Sequence, residues 1–368
     1  MEKEPLVTVG VPTYNSERYI KECLDSILGQ TYKNLEIIVS DNGSTDDTEK
    51  IVLSYSDSKI RFKRNSENIY CYGNYNVILG MSKGDLIAFY HSDDVYLPDM
   101  VEKEVKFLRE HTQAAAVFTE AHEIDESGRM TAEKTFPRKF SEVDIIDFRK
   151  AYNGFLEYWD FLICPSGMFV KDIFTQVGYF KEERFFLKTQ DSMWLELLNK
   201  HGMKKDMIFT ANDLDMWLRI MQKRPVGIIH KKLMNYRVHS GQGSQEYGTN
   251  SSNFFIVMDY YAGYAEKEDI ISGISWRKYE ILKSVEEFAS GQRALIKRNF
   301  KDAGKYYISF LKSKHFIRMC LSRENPARII WACAAVCAIP LKCGPFMRAI
   351  LVLLSAKKAE KKNERTFF

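Results

Sequence analysis

The chain holds seven cysteines in 368 residues, at 23, 71, 164, 320, 333, 337 and 343, and no C-x-x-C pair. That spacing supports neither a metal framework nor a disulfide scaffold, and reduced thiols of a cytosolic protein are the simplest reading. No apolar run approaches the roughly 20 residues that cross a bilayer. The run Ile329 to Ile339 has eleven residues and ends at Pro340. The first residues, Met-Glu-Lys-Glu-Pro, contain no apolar signal region, which argues against secretion. No repeat of solenoid length is present.

Net charge is small, +4, but unevenly spread. Residues 292–368 carry 17 Lys and Arg against 4 Asp and Glu, leaving 36 against 45 for residues 1–291. A basic tail behind an acidic body points to an anionic surface, membrane or nucleic acid, or to a helical region with a solvated basic face. Basic clusters beside apolar segments favour anionic lipid. Ile329–Ile339 and Ala349–Ala356 together suit an interfacial hairpin, with Lys357, Lys358, Lys361 and Lys362 at the headgroups.

Apolar strands alternate with helices through the first half. Leu6 to Pro12 reads as a strand buried on both faces. Ser16 or Asn15 can cap the next helix, where Tyr19, Ile20, Cys23, Leu24, Ile27 and Leu28 share a face. Strands follow at 35–40, 60–63, 85–90 and 114–119, with helices around Ile51, over 75–81 and over 99–111. Residues 120–140 read as a polar loop with a hairpin, 213–222 as a helix and 226–239 as a last strand. This order predicts a three-layer α/β/α sandwich with a mainly parallel sheet. Strand signals vanish after about residue 250, so residues 1–248 are expected as one domain and 249–368 as a basic helical extension.

Open parallel sheets bind ligands at the carboxyl ends of their strands. Here those ends carry Pro12, Tyr14, Asn15, Asp41, Asn42 and Ser44, and later His91-Ser-Asp93-Asp94. Two carboxylates at a strand end suit a divalent cation on a diphosphate. On its own the pair also fits a helix N-cap, and Asp41-Asn42-Gly43 fits an Asx turn.

Pro-Thr-Tyr-Asn together with Ser-Asp-Asn-Gly-Ser-Thr-Asp resembles the nucleotide-sugar half of the inverting glycosyltransferase family 2, over about residues 5–242. The resemblance implies a GT-A type, Rossmann-like fold. It implies that Pro12, Thr13, Tyr14 and Asn15 hold the nucleotide, that Asp41 accepts a hydrogen bond from a uracil ring, and that Asn42 and Asn68 stand nearby. Arg64 and Asn65 are further nucleotide neighbours, although the family's Asn-x-Gly is here Asn68-Ile69-Tyr70. Asp94 is implied as a ligand of Mn²⁺ or Mg²⁺, Asp93 as a ribose or metal contact, and His239 as a metal contact. His91 stands where many members have a third acidic residue. Arg237, in Tyr-Arg-x-His, is expected to neutralise the diphosphate.

In-line transfer requires a base for the acceptor hydroxyl. Two segments echo one another, Thr189-Gln-Asp191-Ser-Met-Trp and Asn212-Asp213-Leu-Asp215-Met-Trp-Leu-Arg. Each places an Asp at a helix start, where the macrodipole favours the ionised form. The family's acidic pair before Leu-Trp-Leu-Arg selects Asp213, with Asp191 as runner-up on the segment 184–210, which reads as an insertion. Asn212 replaces the more usual Glu.

The resemblance implies a glycosyltransferase of the hexosyltransferase class, acting in cell-surface polysaccharide synthesis. Its partners would be a nucleotide-sugar donor, a UDP-sugar foremost, and a glycan or lipid-linked acceptor, with no nucleic acid. It would work at the cytoplasmic face of a membrane. Two alternatives stand beside it. One is an impaired donor-binding scaffold of the same fold. The other is a nucleotidyltransferase, for which the glycine-rich basic loop after strand 1 is missing.

Overall fold

A computed structural model describes residues 4–185, 188–201, 208–242, 251–296 and 299–312. The first strand is β1 (Val7–Thr13), Val-Thr-Val-Gly-Val-Pro-Thr, whose seven residues are all buried, as its near-absence of polar side chains allows. The next helix, α1 (Ile20–Leu28), buries Ile20, Cys23, Leu24 and Ile27, at spacings of three and four. β2 (Leu35–Asp41), α2 (Thr48–Leu53) and β3 (Ile60–Arg64) repeat the alternation. Helix α3 (Tyr70–Met81) leads into β4 (Leu86–Phe89). β1 pairs in parallel with both β2 and β4, and β2 with β3. Gly10 lies where α3 crosses β1: a Cβ there would meet Ile78 Cγ2 at 2.3 Å.

The second half of the sheet is mixed. Short β5 (Val95–Tyr96) and α4 (Met100–Glu110) precede β6 (Ala116–Ile124), which forms a hairpin with β7 (Met130–Lys134). β8 (Ile145–Ile146), α5 (Phe148–Tyr158), β9 (Met168–Val170) and α6 (Ile173–Val177) follow, then α7 (Ser192–Lys200), α8 (Asn212–Met221) and β10 (Val226–Arg237). β9 runs antiparallel between β4 and β6, and β10 pairs in parallel with β6. The ten strands form one sheet with the path β3-β2-β1-β4-β9-β6-β10-β5, β7 and β8 lying off it.

Two compact units are present, residues 1–271 and 272–368. The first therefore runs past residue 248 and includes α9 (Ser251–Lys267). This helix holds the body through aromatic residues. Tyr260 stacks on Trp194 of α7 at 4.3 Å, and Phe254 and Phe255 flank Trp159. The Tyr152 hydroxyl of α5 donates to the Met258 carbonyl at 2.7 Å. In the second unit α10 (Gly273–Ile296) and α11 (Phe300–Lys312) pack through Phe288 against Tyr307 and Phe310. The apolar and lysine-rich segments from residue 329 onward lie outside the described residues. Among the described residues no helix is long and apolar enough to cross a membrane.

Candidate active site

A cavity of about 1090 Å³ opens at the carboxyl ends of the parallel strands, with Pro12, Thr13, Tyr14, Asn15, Asn42 and Asn68 in one part of its wall. Two loops are tied together to make that part. The Asn15 amide donates to Ser44 Oγ at 2.8 Å, and Thr45 N donates to Asn15 Oδ1 at 2.9 Å. Asn15 adopts φ 49°, a left-handed conformation that Asn tolerates. Asn15 and Ser16, expected as caps, thus join loops, and no side chain caps α1. Tyr14 stands at the rim, 45% exposed, and the buried Thr13 Oγ1 has no hydrogen-bond partner.

Asp41 is fully buried and does not line the cavity. Its Oδ2 accepts from Ser44 N at 2.9 Å and from Arg64 Nη1 at 3.3 Å, and its Oδ1 accepts from the Ser44 hydroxyl. Gly43, at φ +76°, supplies the turn. This is the Asx-turn reading of the segment, and it leaves Asn42 as the member of the loop that faces the cavity.

After β4 the chain brings His91, Asp93 and Asp94 together, with one ligand atom from each within 4.8 Å of the others. Asp93 lines the cavity, and Asp94 lies behind it, 1% exposed. Asp94 Oδ1 accepts from the backbone N–H of Arg237 at 2.8 Å, while Oδ2 is buried with no hydrogen-bond partner. Burial, then the charge of Asp93, pushes the Asp94 carboxyl well above its usual range. A carboxylate oxygen that has lost water without gaining a donor fits a divalent cation, which would complete it. His239 Nε2 lies 2.9 Å from Asp93 Oδ2. Burial raises the Asp93 pKa, but the His239 hydrogen bond and the two imidazoles outweigh it and the net shift is downward. His91 is held neutral by burial and lies 2.5 Å from the Tyr75 hydroxyl.

Arg237 does not line the cavity. Its side chain is 2% exposed, with Nη2 on Glu22 at 2.6 Å, Nε on the Asp93 carbonyl at 2.8 Å and the guanidinium over the Tyr19 ring. The expected diphosphate contact is therefore replaced by a positioning role: backbone and side chain of Arg237 fix both members of the Asp93–Asp94 pair. Among the described residues the Lys and Arg side chains that line the cavity are Arg18 and Lys134, neither of which the sequence singled out.

Of the two candidate bases, Asp213 lines the cavity and Asp191 does not. Asp191 caps α7, accepting from Met193 N and Trp194 N, and also accepts from the Tyr260 hydroxyl. Asp213 sits in the first turn of α8. The macrodipole does not decide its titration; burial does, pushing it up to about 6 against the Leu214 amide and the Tyr72 hydroxyl. Asp215, two residues further in the same turn, is fully buried and holds Lys181 at 2.5 Å and Arg219 at 2.9 Å, which anchors α8.

Asp160, Tyr72 and Glu183 of the wall also escaped the sequence reading. Asp160 follows α5, and burial together with the charge of Asp213 pushes its carboxyl well up. Tyr72 lies on α3. Glu183 is 5% exposed, whereas the side chain of the adjacent Glu182 is 48% exposed, and nothing in Lys-Glu-Glu-Arg tells the two apart.

Residues 8–177 match the family model "Glycosyl transferase family 2". The chain is 27% identical to an uncharacterized glycosyltransferase of Rickettsia prowazekii over 83% of this chain and 89% of that protein. It is also 27% identical to one of Rickettsia felis over 73% of this chain, a stretch that spans 40% of the relative's length. In fold it is similar to the crystal structure of S. aureus TarS 1-349, with a TM-score of 0.50 at 17% identity, covering 97% of this chain and 89% of that one. The fold is of the GT-A type, and residues 8–177 carry the sequence pattern of glycosyltransferase family 2.

Proposed function

We propose that the protein transfers a sugar from a nucleotide-sugar donor, foremost a UDP-sugar, to a hydroxyl of a glycan or glycolipid acceptor, with inversion at the anomeric carbon. The observation that carries this reading is the arrangement of the cavity. Its wall joins the Pro12–Asn15 and Asn42 loops, the Asp93 end of β4 and Asp213. Tyr14 and Asn42 flank the nucleotide, and Asn68 stands beside them. Asp93, Asp94 and His239, with His91 in reach, would hold Mn²⁺ or Mg²⁺. That cation would offset the charge growing on the departing diphosphate.

Asp213 then takes the proton of the acceptor hydroxyl as its oxygen bonds to the anomeric carbon, while the bond from that carbon to the diphosphate oxygen breaks. With its pKa near 6, the Asp213 carboxylate is mostly ionised at neutral pH and still basic enough to accept that proton. The Tyr72 hydroxyl orients it. Arg18 and Lys134 line the cavity in partly exposed ion pairs with Glu126 and Glu123, and among the described residues they are the Lys and Arg side chains that can turn to the diphosphate, since Arg237 is buried on Glu22. The basic region beyond residue 292 would place the enzyme peripherally on the cytoplasmic face of a membrane carrying a lipid-linked acceptor, in cell-surface polysaccharide synthesis.

The test is turnover of UDP-sugars with Mn²⁺ or Mg²⁺, followed as UDP release and by the anomeric configuration of the product. Asp213→Asn is expected to lower kcat by about 10²–10⁴-fold, the usual contribution of a positioned base. Turnover unchanged in Asp213→Asn would reject the assignment of the base, and retained anomeric configuration would reject the inverting course.

A further inference from the structure

Tyr70 opens helix α3 with φ 62°, in the left-handed region where a residue with a Cβ is strained. Among the described residues four non-glycine positions have such a φ, and two of them, Asn15 and Tyr70, line the cavity. Asn tolerates the conformation through its short polar side chain, and glycine takes it freely; Tyr has neither relief. Its backbone is held by side chains instead. The Tyr70 N–H donates to Asn68 Oδ1 at 2.8 Å, and its carbonyl accepts from Asn42 Nδ2 at 2.9 Å. Asn42 is fixed in turn. Its Oδ1 accepts from Asn65 Nδ2 at 3.0 Å, and Asn65 also donates to Asn74 Oδ1 at 3.3 Å. Asn42, Asn65 and Asn74 are all buried, so the end of β2, the segment after β3 and helix α3 meet behind this one residue.

Strained backbone persists where the surrounding structure over-determines it, and it clusters at ligand sites. Here it sets a half-buried aromatic residue on the cavity wall, in the part that also holds Tyr14, Asn42 and Asn68. The side chain is fixed at its far end as well. Arg184 Nη2 donates to the Tyr70 hydroxyl at 2.6 Å, with the guanidinium carbon 5.1 Å from the ring centroid. Backbone and hydroxyl together place the ring before a ligand arrives.

We propose that Tyr70 is a nucleobase-stacking residue of the donor site: the planar base lies against its ring, and the left-handed backbone serves to present that ring. The proposal rests on the nucleotide-sugar reading of this cavity. An aromatic side chain holds a base by its π-face rather than by its hydrogen-bonding edge. A ring already fixed at both ends gives up little freedom when the base arrives, so more of the contact appears as affinity.

The experiment is calorimetric titration of UDP, and of its dihydrouridine analogue, into the full-length protein with Mn²⁺. The saturated base of the analogue keeps the hydrogen-bonding edge of uracil but is puckered and has no π-face. The expected result is UDP at least about fivefold tighter than the analogue, within the usual scale of one base stacked on an aromatic side chain. Tyr70→Gly and Tyr70→Asn both accept the left-handed φ and remove the ring. Each should weaken UDP by at least about fivefold and shrink its advantage over the analogue, while Tyr70→Phe keeps both. Equal binding of UDP and the analogue by the parent protein would overturn the proposal. So would an advantage unchanged in Tyr70→Gly and Tyr70→Asn, or one lost in Tyr70→Phe, which would assign the contact to the hydroxyl. Failure of UDP to bind the parent protein, seen in the first titration, would instead remove the donor reading beneath the proposal, and the proposal with it.

Discussion

Asp213 and Asp160 share a cavity wall, and the raised pKa of Asp213 sets the pH behaviour expected of the enzyme. Asp213 titrates near 6, and burial, then the charge of Asp213, pushes the Asp160 carboxyl well above its usual range. The base form of Asp213 is lost as pH falls through its raised pKa, so kcat/KM should rise with pH, with an acid limb near 6 and a plateau above. With Asp213 as the base, Asp160→Asn should leave an acid limb in place; a limb that disappears with Asp160 would assign it to the wrong carboxyl. Glu183 carries a second consequence. Burial raises its pKa from 4.5 to about 7, so the native state holds that proton more tightly than the unfolded chain. Its contribution to stability is complete below about 4.5 and is lost as pH rises through about 7, an effect on the order of 3 kcal/mol. Denaturant midpoints of Glu183→Gln should therefore vary less over that window than those of the parent chain. At this scale the sequence was partly legible. Loop residues such as Asn15 and Asn42 are readable because their motif fixes their place at a strand end. Arg237 was misread because its partners, Glu22 and the Asp93 carbonyl, are contributed by segments far away in the chain.

At the scale of elements, the two segments that echo one another do different work. Asp191 caps α7 and Asp213 faces the cavity from α8. Asp191→Ala should cost about 1 kcal/mol of stability, the usual value of a lost N-cap, and leave turnover within a small factor of the parent enzyme. Loss of turnover in that variant with the fold intact, measured beside Asp213→Asn, would reverse the assignment. Strands β1 and β2 and helix α1 were readable from continuous or periodic apolar residues. β9 was not: three residues, Met168–Val170, become a strand only because β4 and β6 hold them on both sides. Helix α3 starts at Tyr70, ahead of the expected 75, because its first turn is held by Glu183, 111 residues further on. A capping group at that distance leaves no local signal.

For the whole molecule, the compact unit ends at 271 because α9 covers Trp194, Trp159 and Tyr152. Sequence reading placed the boundary at 248, where strand patterns stop, since a helix that closes an α/β core looks like any other helix. A chain cut after residue 248 would expose those aromatic side chains and should aggregate, whereas residues 1–271 should remain monomeric and fold cooperatively, as thermal unfolding and light scattering would report. The charge asymmetry gives a second prediction at this scale. The full chain should sediment with vesicles containing anionic lipid and be released by high salt, and residues 1–271 should not. Equal binding by both would place the membrane contact outside the basic region.

The central claim is that the Asp93–Asp94 end of β4 makes the cavity a metal-dependent nucleotide site. Calorimetric titration of UDP, with and without Mn²⁺, into the parent protein and Asp94→Ala tests it most directly. Binding that requires Mn²⁺ and is lost in Asp94→Ala is the predicted result. No binding of UDP under any condition, or binding indifferent to both the metal and the substitution, would contradict it.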